Sequence, residues 1–400
     1  MKDIVMIIHT MGTLKKTDND RYIYLANLLI GKEDVSIEIV TSDFEHHKKN
    51  YRNQEIVKEY PYKITFLHEN EYKKNVSIRR ILGHYSFARR LKRYLSNRKK
   101  PDVIYCAIPP TVSAKVAAAY AKRNSVRFVV DIQDLWPEAF QMVLGKNWVS
   151  KIILSPMMKS VDYVYSCADA VVAVSDTYVN RVMSVNRKAK QGASVYLGTD
   201  GRIFNEKPTV TVDKPKNEFW IAYVGNLGTS YDFLNVFKAL KILSDKGISD
   251  IRLLVLGDGN MRVEVEKLVG KYFRNTIIYG YLPYIDMFEY LKKCDIALNP
   301  IIKKSVSSVV NKVGDYAAAG IAVVNTQDSE EYRMLLEHYE AGLSTEPENA
   351  KDIADKIEIL YRDKQLCVKM GENNKKLFEE KFNRTKTYTE IVDMLLDDLD

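Results

Sequence analysis

Short continuous apolar runs alternate with amphipathic stretches along almost the whole chain. In the first half, Ile4–Ile8, Ile37–Val40, Ile64–Leu67, Val103–Ile108, Phe128–Ile132 and Val171–Val174 read as strands. In the second half, Trp220–Val224, Leu253–Leu256, Thr276–Tyr279, Ile296–Leu298 and Ala322–Asn325 read the same way. Helix-period segments lie between many of them, at Asp20–Leu29, Thr111–Lys122, Phe233–Leu243, Met261–Val269, Tyr284–Lys293 and Lys312–Ala319. A strand without polar alternation is buried on both faces, so this pattern predicts an α/β chain with doubly wound parallel sheets.

The pattern breaks at 199–217, where Gly198, Gly201, Pro208 and Pro215 punctuate a polar stretch with no helix period. A fresh strand then opens at Phe219. We therefore expect a Rossmann-like domain over 1–198, a linker over 199–217 and a second Rossmann-like domain over 218–380. The last fifty residues read as three helices, Ala350–Arg362, Lys364–Glu380 and Thr385–Leu399. Two such domains create a cleft, and ligands in open parallel sheets lie beyond the carboxyl ends of the strands.

Composition narrows the class. The chain has 400 residues, 46% hydrophobic and 28% charged, as in a globular protein of two or three domains. No run approaches the ~18 apolar residues of a membrane span. The run Ile4–Ile8 is too short for a signal peptide, so a cytoplasmic chain is expected. The net charge of +8 is unevenly spread. Residues 1–200 carry 32 Lys/Arg against 20 Asp/Glu, and residues 201–400 carry 28 against 32. Only the basic half is expected to meet an anionic partner. Cys106, Cys167, Cys294 and Cys367 are widely spaced, as buried thiols are in a reducing compartment. The six histidines form no HExxH or other ligand spacing, so no metal is expected.

Two strands of the second half end in glycine-bearing loops before a helix: Gly225-Asn226-Leu227-Gly228-Thr229 and Gly257-Asp258-Gly259. Glycine lets a backbone approach a phosphate, and a helix N-terminus favours an anion. The alternative is an ordinary strand–helix turn. A dinucleotide fingerprint fails, because Arg262 stands where the third glycine belongs and no acid follows the next strand. No Walker A loop occurs. Lys312 stands in the first turn of a helix starting near Asn311, a poor place for a cation unless it reaches a bound phosphate. Asp315, one turn on, suits ribose hydroxyls. In the first half, Asp131, Gln133, Asp134, Trp136 and Glu138 cluster at one strand end, and carboxylates with an aromatic there suit sugar binding. The alternative there is a turn with an N-cap aspartate.

Residues 79–100 carry nine Lys/Arg and no acid, with Ile81, Tyr85, Ala88, Leu91 and Leu95 at helical spacing. A basic amphipathic helix suits an anionic membrane surface. No helix-turn-helix or aromatic RNP strand accompanies it, which argues against nucleic acid. A solvated helix packing its stripe on a sheet is the plainer reading.

The order of these motifs resembles the family-4 retaining glycosyltransferases of the GT-B fold, of the bacterial capsule, lipopolysaccharide and exopolysaccharide type. The resemblance runs through Asp131–Glu138, Ala168–Ser175, Gly198-Thr199-Asp200, Gly225–Gly228, Leu256–Gly259, Tyr279–Pro283, Cys294–Leu298 and Asp315–Val324. It implies two Rossmann-like domains facing across a cleft, with a C-terminal helix (381–400) returning to the first. It implies a nucleotide-sugar donor, a UDP-sugar, on the second domain and a saccharide or lipid-diphosphate acceptor on the first. Tyr281 and Leu282 would hold the base and Asp315 the ribose. Gly12, Gly228, Thr229, Lys312 and the helix start at Asn311 and Val313 would meet the phosphates. Asp134 would orient the acceptor hydroxyl. No cofactor or metal is implied. The chain departs from the family at Ser307, where the first of two paired glutamates falls, at Gln133 for a histidine, and at Ser230-Tyr231-Asp232 for a basic residue. A sugar-nucleotide 2-epimerase or a non-catalytic sugar-nucleotide binder shares this architecture. A peripheral position at the inner membrane surface would account for the charge split.

Overall fold

The computed structural model describes every residue except 13, 15–19, 47, 75–76, 141–144, 146–147, 304–308 and 398–400, and gives only the backbone of 56–58, 191 and 204–205. Thr13 and Ser307 thus lie outside the described residues. The chain forms two compact units, one of Met1–Tyr196 with the segment from Tyr388 on, the other of Leu197–Thr387.

The first unit is built on strands β1 (Lys2–Ile8), β2 (Val35–Ser42), β5 (Lys63–Leu67), β6 (Val103–Ile108), β7 (Arg127–Ile132), β8 (Ala170–Ala173) and β9 (Gln191–Ser194), with β3 (Phe44–Glu45) and β4 (Asn50–Tyr51) as a small antiparallel ribbon. The seven-stranded sheet is parallel, in the order β5-β2-β1-β6-β7-β8-β9. Its helices are α1 (Arg21–Ile30), α2 (Ile78–Asn97), α3 (Thr111–Asn124), α4 (Trp148–Cys167) and α5 (Asp176–Met183). Asp20, Ser77 and Ser175 cap α1, α2 and α5 by accepting from amides of the first turn. Right-handed crossovers place helices that move to the right along the strand order on one face, so α2, α3, α4 and α5 share it. α3 packs against both α2 and α4.

The second unit holds β10 (Phe219–Val224), β11 (Ile251–Leu256), β12 (Thr276–Ile278), β13 (Ile296–Asn299), β14 (Ala322–Asn325) and β15 (Gly342–Ser344). They form a parallel sheet in the order β12-β11-β10-β13-β14-β15. Its helices are α6 (Phe233–Asp245), α7 (Arg262–Tyr272), α8 (Tyr284–Leu291), α9 (Lys312–Ala319), α10 (Glu330–Tyr339), α11 (Ala350–Arg362) and α12 (Lys364–Leu377), the last ending in a π turn at Phe378–Phe382. In each sheet the strand order reverses beside the first strand, between β1 and β6 and between β10 and β13. Those reversals open the crevices in which such sheets bind ligands.

Three expectations need correction. The stretch 199–217 is no free linker: the Thr209 amide and hydroxyl both donate to Asp286, Lys214 pairs with Asp295, and Val212 is buried. Its polar residues have partners far along the chain, which local pattern cannot show. The edge strands β9 and β15 went unread because neither has an apolar run. On α2, Ala88, Leu91 and Leu95 are buried as expected, but Ile81 and Tyr85 are 55% and 58% exposed. Gly83, His84 and Phe87 take the inner face there, because Gly83 lies so close to Asn70 that a Cβ would stand 2.8 Å from its carbonyl oxygen.

The final helix α13 (Thr389–Leu396) belongs to the first unit. Tyr388, Ile391, Val392, Met394 and Leu395 join that unit's core. Arg21 Nη1 donates to the Tyr388 hydroxyl at 2.9 Å, and Arg127 Nη2 to the Met394 carbonyl at 2.8 Å.

Candidate functional site

In the second unit the loops after β10 and β11 are laid directly on one another. The Gly225 amide donates to Leu256 O, and the Leu227 amide to Asp258 O. A Cβ on Gly257, whose φ is +158°, would stand 1.9 Å from Gly225 O, and one on Gly259 would stand 2.4 Å from Leu227 O. Gly257 and Gly259 are therefore required for loop packing, and phosphate approach need not be invoked for them. Their work is to fix the loop that carries Gly225, Asn226, Gly228 and Thr229.

Lys312 opens α9 in the crevice between β10 and β13, and only 6% of it is exposed. Its Nζ lies 3.9 Å from the ring centroid of Tyr223 and 3.8 Å from that of Tyr231, yet it has no hydrogen-bond partner. A Cβ built on Gly225 would be 3.6 Å from this nitrogen. Burial pushes the Lys312 pKa well below its ordinary value, and Asp315 opposes the shift only in part. A buried ammonium without an oxygen partner is costly, and cation–π contact offsets only part of that cost. Tyr231 stands where the family pattern has a basic residue. Its ring faces the ammonium that a second cation would repel.

The other expected residues of this unit are placed as follows. Asp315 is 8% exposed; its Oδ1 accepts from Thr199 Oγ1 at 2.6 Å and from the Tyr284 hydroxyl. Burial raises the Asp315 pKa, against those two hydrogen bonds. Asp315 thus braces Thr199 and α8 against α9, and its ribose contact is limited to what Oδ2 can reach. The amides of Val313 and Gly314 donate back to Val310 and Asn311 carbonyls, so they are not free for an anion. Asn311 and Thr229 are exposed. Asp258 is held by the Gly259 amide and by Arg262. Tyr281 is 78% exposed just beyond β12, with Leu282 half-buried beside it.

In the first unit, Asp131 is fully buried. It accepts from Arg21 Nε at 2.9 Å and Nη2 at 3.2 Å, from the Tyr105 hydroxyl at 2.5 Å and from Gln133 Nε2 at 2.8 Å. This corrects the acceptor reading of Asp131, whose carboxylate anchors β7 to α1; half-buried Gln133 completes its shell through Nε2. Arg21, more than a hundred positions away, was not foreseeable from local spacing. Glu138 is engaged by Arg181, which also holds Asp162. Asp134 is the carboxylate still open. It is half-buried, takes a hydrogen bond of 3.0 Å from Trp136 Nε1, and has its pKa raised by burial. The guanidinium of Arg80 on α2 lies 5.2 Å from the Trp136 ring centroid. The Gly12 carbonyl accepts from Arg52 at 2.6 Å.

Sequence spacing also missed a buried group at the carboxyl end of β1. His9 bonds Ser113 Oγ through Nδ1 at 3.2 Å and Glu69 Oε2 through Nε2 at 3.0 Å, and stacks on Phe87 with ring centroids 3.9 Å apart. His84 is beside it, and the ligand-type atoms of His9, Glu69 and His84 lie within 4.8 Å of one another. Burial drives the His84 pKa down to about 3. Both His9 nitrogens have hydrogen-bond partners, in a buried group drawn from the ends of β1 and β5 and from α2 and α3.

Comparison with known proteins agrees with this architecture. CapM of Staphylococcus aureus, a capsular polysaccharide biosynthesis glycosyltransferase, is 22% identical over 378 residues, 91% of this chain and 90% of its own. Among solved structures, Anabaena Alr3699/HepE in complex with UDP superposes with a TM-score of 0.68 at 13% identity, covering 99% of both chains. WaaG, a glycosyltransferase involved in lipopolysaccharide biosynthesis, superposes with a TM-score of 0.67 at 12% identity over 99% of this chain and 100% of its own. A family model for glycosyltransferase family 4 matches residues 24–200, and one for glycosyl transferases group 1 matches 206–377. Each covers one of the two parallel-sheet regions, and with them the chain belongs to the family-4 glycosyltransferases of the GT-B fold.

Proposed function

We propose that this glycosyltransferase acts in cell-surface polysaccharide biosynthesis, moving a sugar from a UDP-sugar to a saccharide or lipid-linked acceptor with retention. The observation that carries this reading is the buried Lys312 ammonium, with no oxygen partner, beside Gly225 at the crevice of the second sheet. A diphosphate supplies the oxygens it lacks. As the sugar–phosphate bond breaks, its electron pair goes to the diphosphate oxygen, and Lys312 stabilises that charge. The acceptor oxygen bonds the sugar on the face the diphosphate leaves, and its proton passes to the departing phosphate. No protein nucleophile is needed, and Lys312 supplies the positive charge without a metal. The exposed Tyr281 offers a stacking surface for the base, and Asp315 Oδ2 a contact for the ribose. Asp134 orients the acceptor hydroxyl. The UDP named with HepE favours this donor class.

In this reading the protein is cytoplasmic and peripheral, and the cations of Arg79–Lys100 meet anionic lipid. Incubation with a panel of UDP-sugars and lipid-diphosphate acceptors tests the activity. Acceptor-dependent release of UDP is expected. An epimerised sugar, or UDP-sugar binding without turnover under any acceptor, would contradict it.

A further inference from the structure

At the carboxyl ends of β1 and β5 the first unit gathers two imidazoles and a carboxylate. His9 and Glu69 are each 2% exposed, and His84, on α2, is 7% exposed. Their ligand-type atoms lie within 4.8 Å of one another. Buried polar groups normally satisfy one another by hydrogen bonds, and these do so only in part.

The protons show what is missing. Ser113 donates its hydroxyl to the Pro110 carbonyl at 3.0 Å, so its oxygen accepts from His9 Nδ1. A neutral His9 then turns the lone pair of Nε2 toward Glu69 Oε2, 3.0 Å away. Two lone pairs at that distance need a positive centre between them. A proton serves this pair alone. Glu69 Oε1 is buried without a hydrogen-bond partner, and neither ring nitrogen of His84 makes a hydrogen bond among the described residues. A proton on His9 leaves both of these unmet, whereas a metal ion engages all three side chains.

Local packing builds the arrangement. Gly83 lets α2 lie against the turn after β5: a Cβ there would stand 2.8 Å from Asn70 O and 3.1 Å from Glu69 Oε1. Phe87 stacks on the His9 ring with centroids 3.9 Å apart, and His84 meets that ring edge-on at 5.0 Å. The neighbouring cations turn to aromatic faces, Arg80 to Trp136 at 5.2 Å and Lys49 to Tyr72 at 5.0 Å. Zinc bonds imidazole nitrogen and carboxylate oxygen at about 2.0–2.2 Å, so tetrahedral ligands stand roughly 3.4 Å apart. From a span of 4.8 Å the set closes to that spacing by a movement of about 1.5 Å at most.

We propose that His9 Nε2, the Glu69 carboxylate and a ring nitrogen of His84 bind a divalent transition metal. The nitrogen and oxygen donors suit zinc, with water in the fourth position. The bond from His9 Nδ1 to Ser113 is then the outer contact that fixes the tautomer. The ion ties the ends of β1 and β5 to α2, the helix that carries Arg80 to Trp136. It is a structural ion of the first unit, separate from the charge that Lys312 supplies in the second. Sequence spacing hid it, because its ligands come from three separate parts of the chain.

The full-length protein, stripped with a chelator, is titrated with zinc alone. One zinc per chain should bind, survive gel filtration and raise the melting temperature. X-ray absorption at the zinc edge of the wild type should show two imidazoles, oxygen and no sulfur, which separates this site from the four thiols. His84→Ala and Glu69→Gln should each weaken zinc binding by roughly tenfold or more, and Ser113→Ala by about tenfold. His338→Gln, at an exposed position, should leave it unchanged. Should a variant fail to fold, the wild-type absorption spectrum decides alone. No stoichiometric zinc in the wild type, or sulfur in its shell, would overturn the site. Zinc affinity indifferent to both His84→Ala and Glu69→Gln would equally overturn it and leave a proton between His9 and Glu69.

Discussion

Lys312 places an ammonium where the folded chain offers two aromatic faces and no oxygen. Replacing a buried charge by an apolar isostere is often neutral or stabilising by about 1–4 kcal/mol, so Lys312→Met should hold or raise the melting temperature. Lys312→Ala should lower kcat/KM by about 10²- to 10³-fold, the scale for losing a preorganised charge contact, measured with saturating acceptor. The pH sign follows from the depressed pKa. Without ligand, Lys312 contributes stability above its unfolded pKa, which is lost as pH falls through the lower folded value. A diphosphate reverses the shift, so UDP binding takes up a proton between the depressed and the restored values, and affinity falls as pH rises through that window. Calorimetry in buffers of different ionisation enthalpy reads this uptake directly; Lys312→Arg should abolish it, since guanidinium stays protonated. Lys312 was legible because a cation in a first turn opposes the helix dipole. Asp131 and Asp315 were legible as unusual, but the groups that hold them were not, because Arg21, Thr199 and Tyr284 reach them from distant parts of the chain.

At the scale of elements, strands buried on both faces announced themselves as continuous apolar runs, and α9 was read to its observed ends. Elements whose side chains break that code were lost. α4 exposes Trp148, Ile152 and Ile153 while burying Ser150, so its periodicity points the wrong way for a helix packed on a core. On α2 the same inversion hid in the first two turns. The basic turns of α2 carry their own prediction. Neutralising Arg89, Arg90, Lys92 and Arg93 should flatten the salt dependence of vesicle binding, as measured by co-sedimentation at two ionic strengths. Unchanged salt dependence would leave these residues as a solvated helix face.

Over the whole molecule, two parallel-sheet units each bury a core of their own, and the chain passes from one to the other at 196–197 and back at 387–388. The alternation of strand and helix was legible over most of both units, whereas the fate of 199–217 was not, since its polar groups find Asp286 and Asp295 far downstream. The return of the chain is anchored where the Tyr388 hydroxyl meets Arg21. Tyr388→Phe removes one of three acceptors of Arg21 Nη1, leaving the carbonyls of Val195 and Tyr196, so it should cost about 0.5–1.5 kcal/mol and lower the melting temperature while leaving UDP affinity unchanged. In the proposed function the charge split becomes a division of labour, the basic half for a lipid surface and the other half for a diphosphate held by one buried lysine. That lysine is the central claim, and UDP titration of the wild type and Lys312→Met by calorimetry, over a pH series in buffers of different ionisation enthalpy, tests it most directly. We predict proton-coupled binding by the wild type and a loss of about 10- to 100-fold in affinity for a variant that melts no lower. Equal affinity and equal proton uptake in the two proteins would contradict the account.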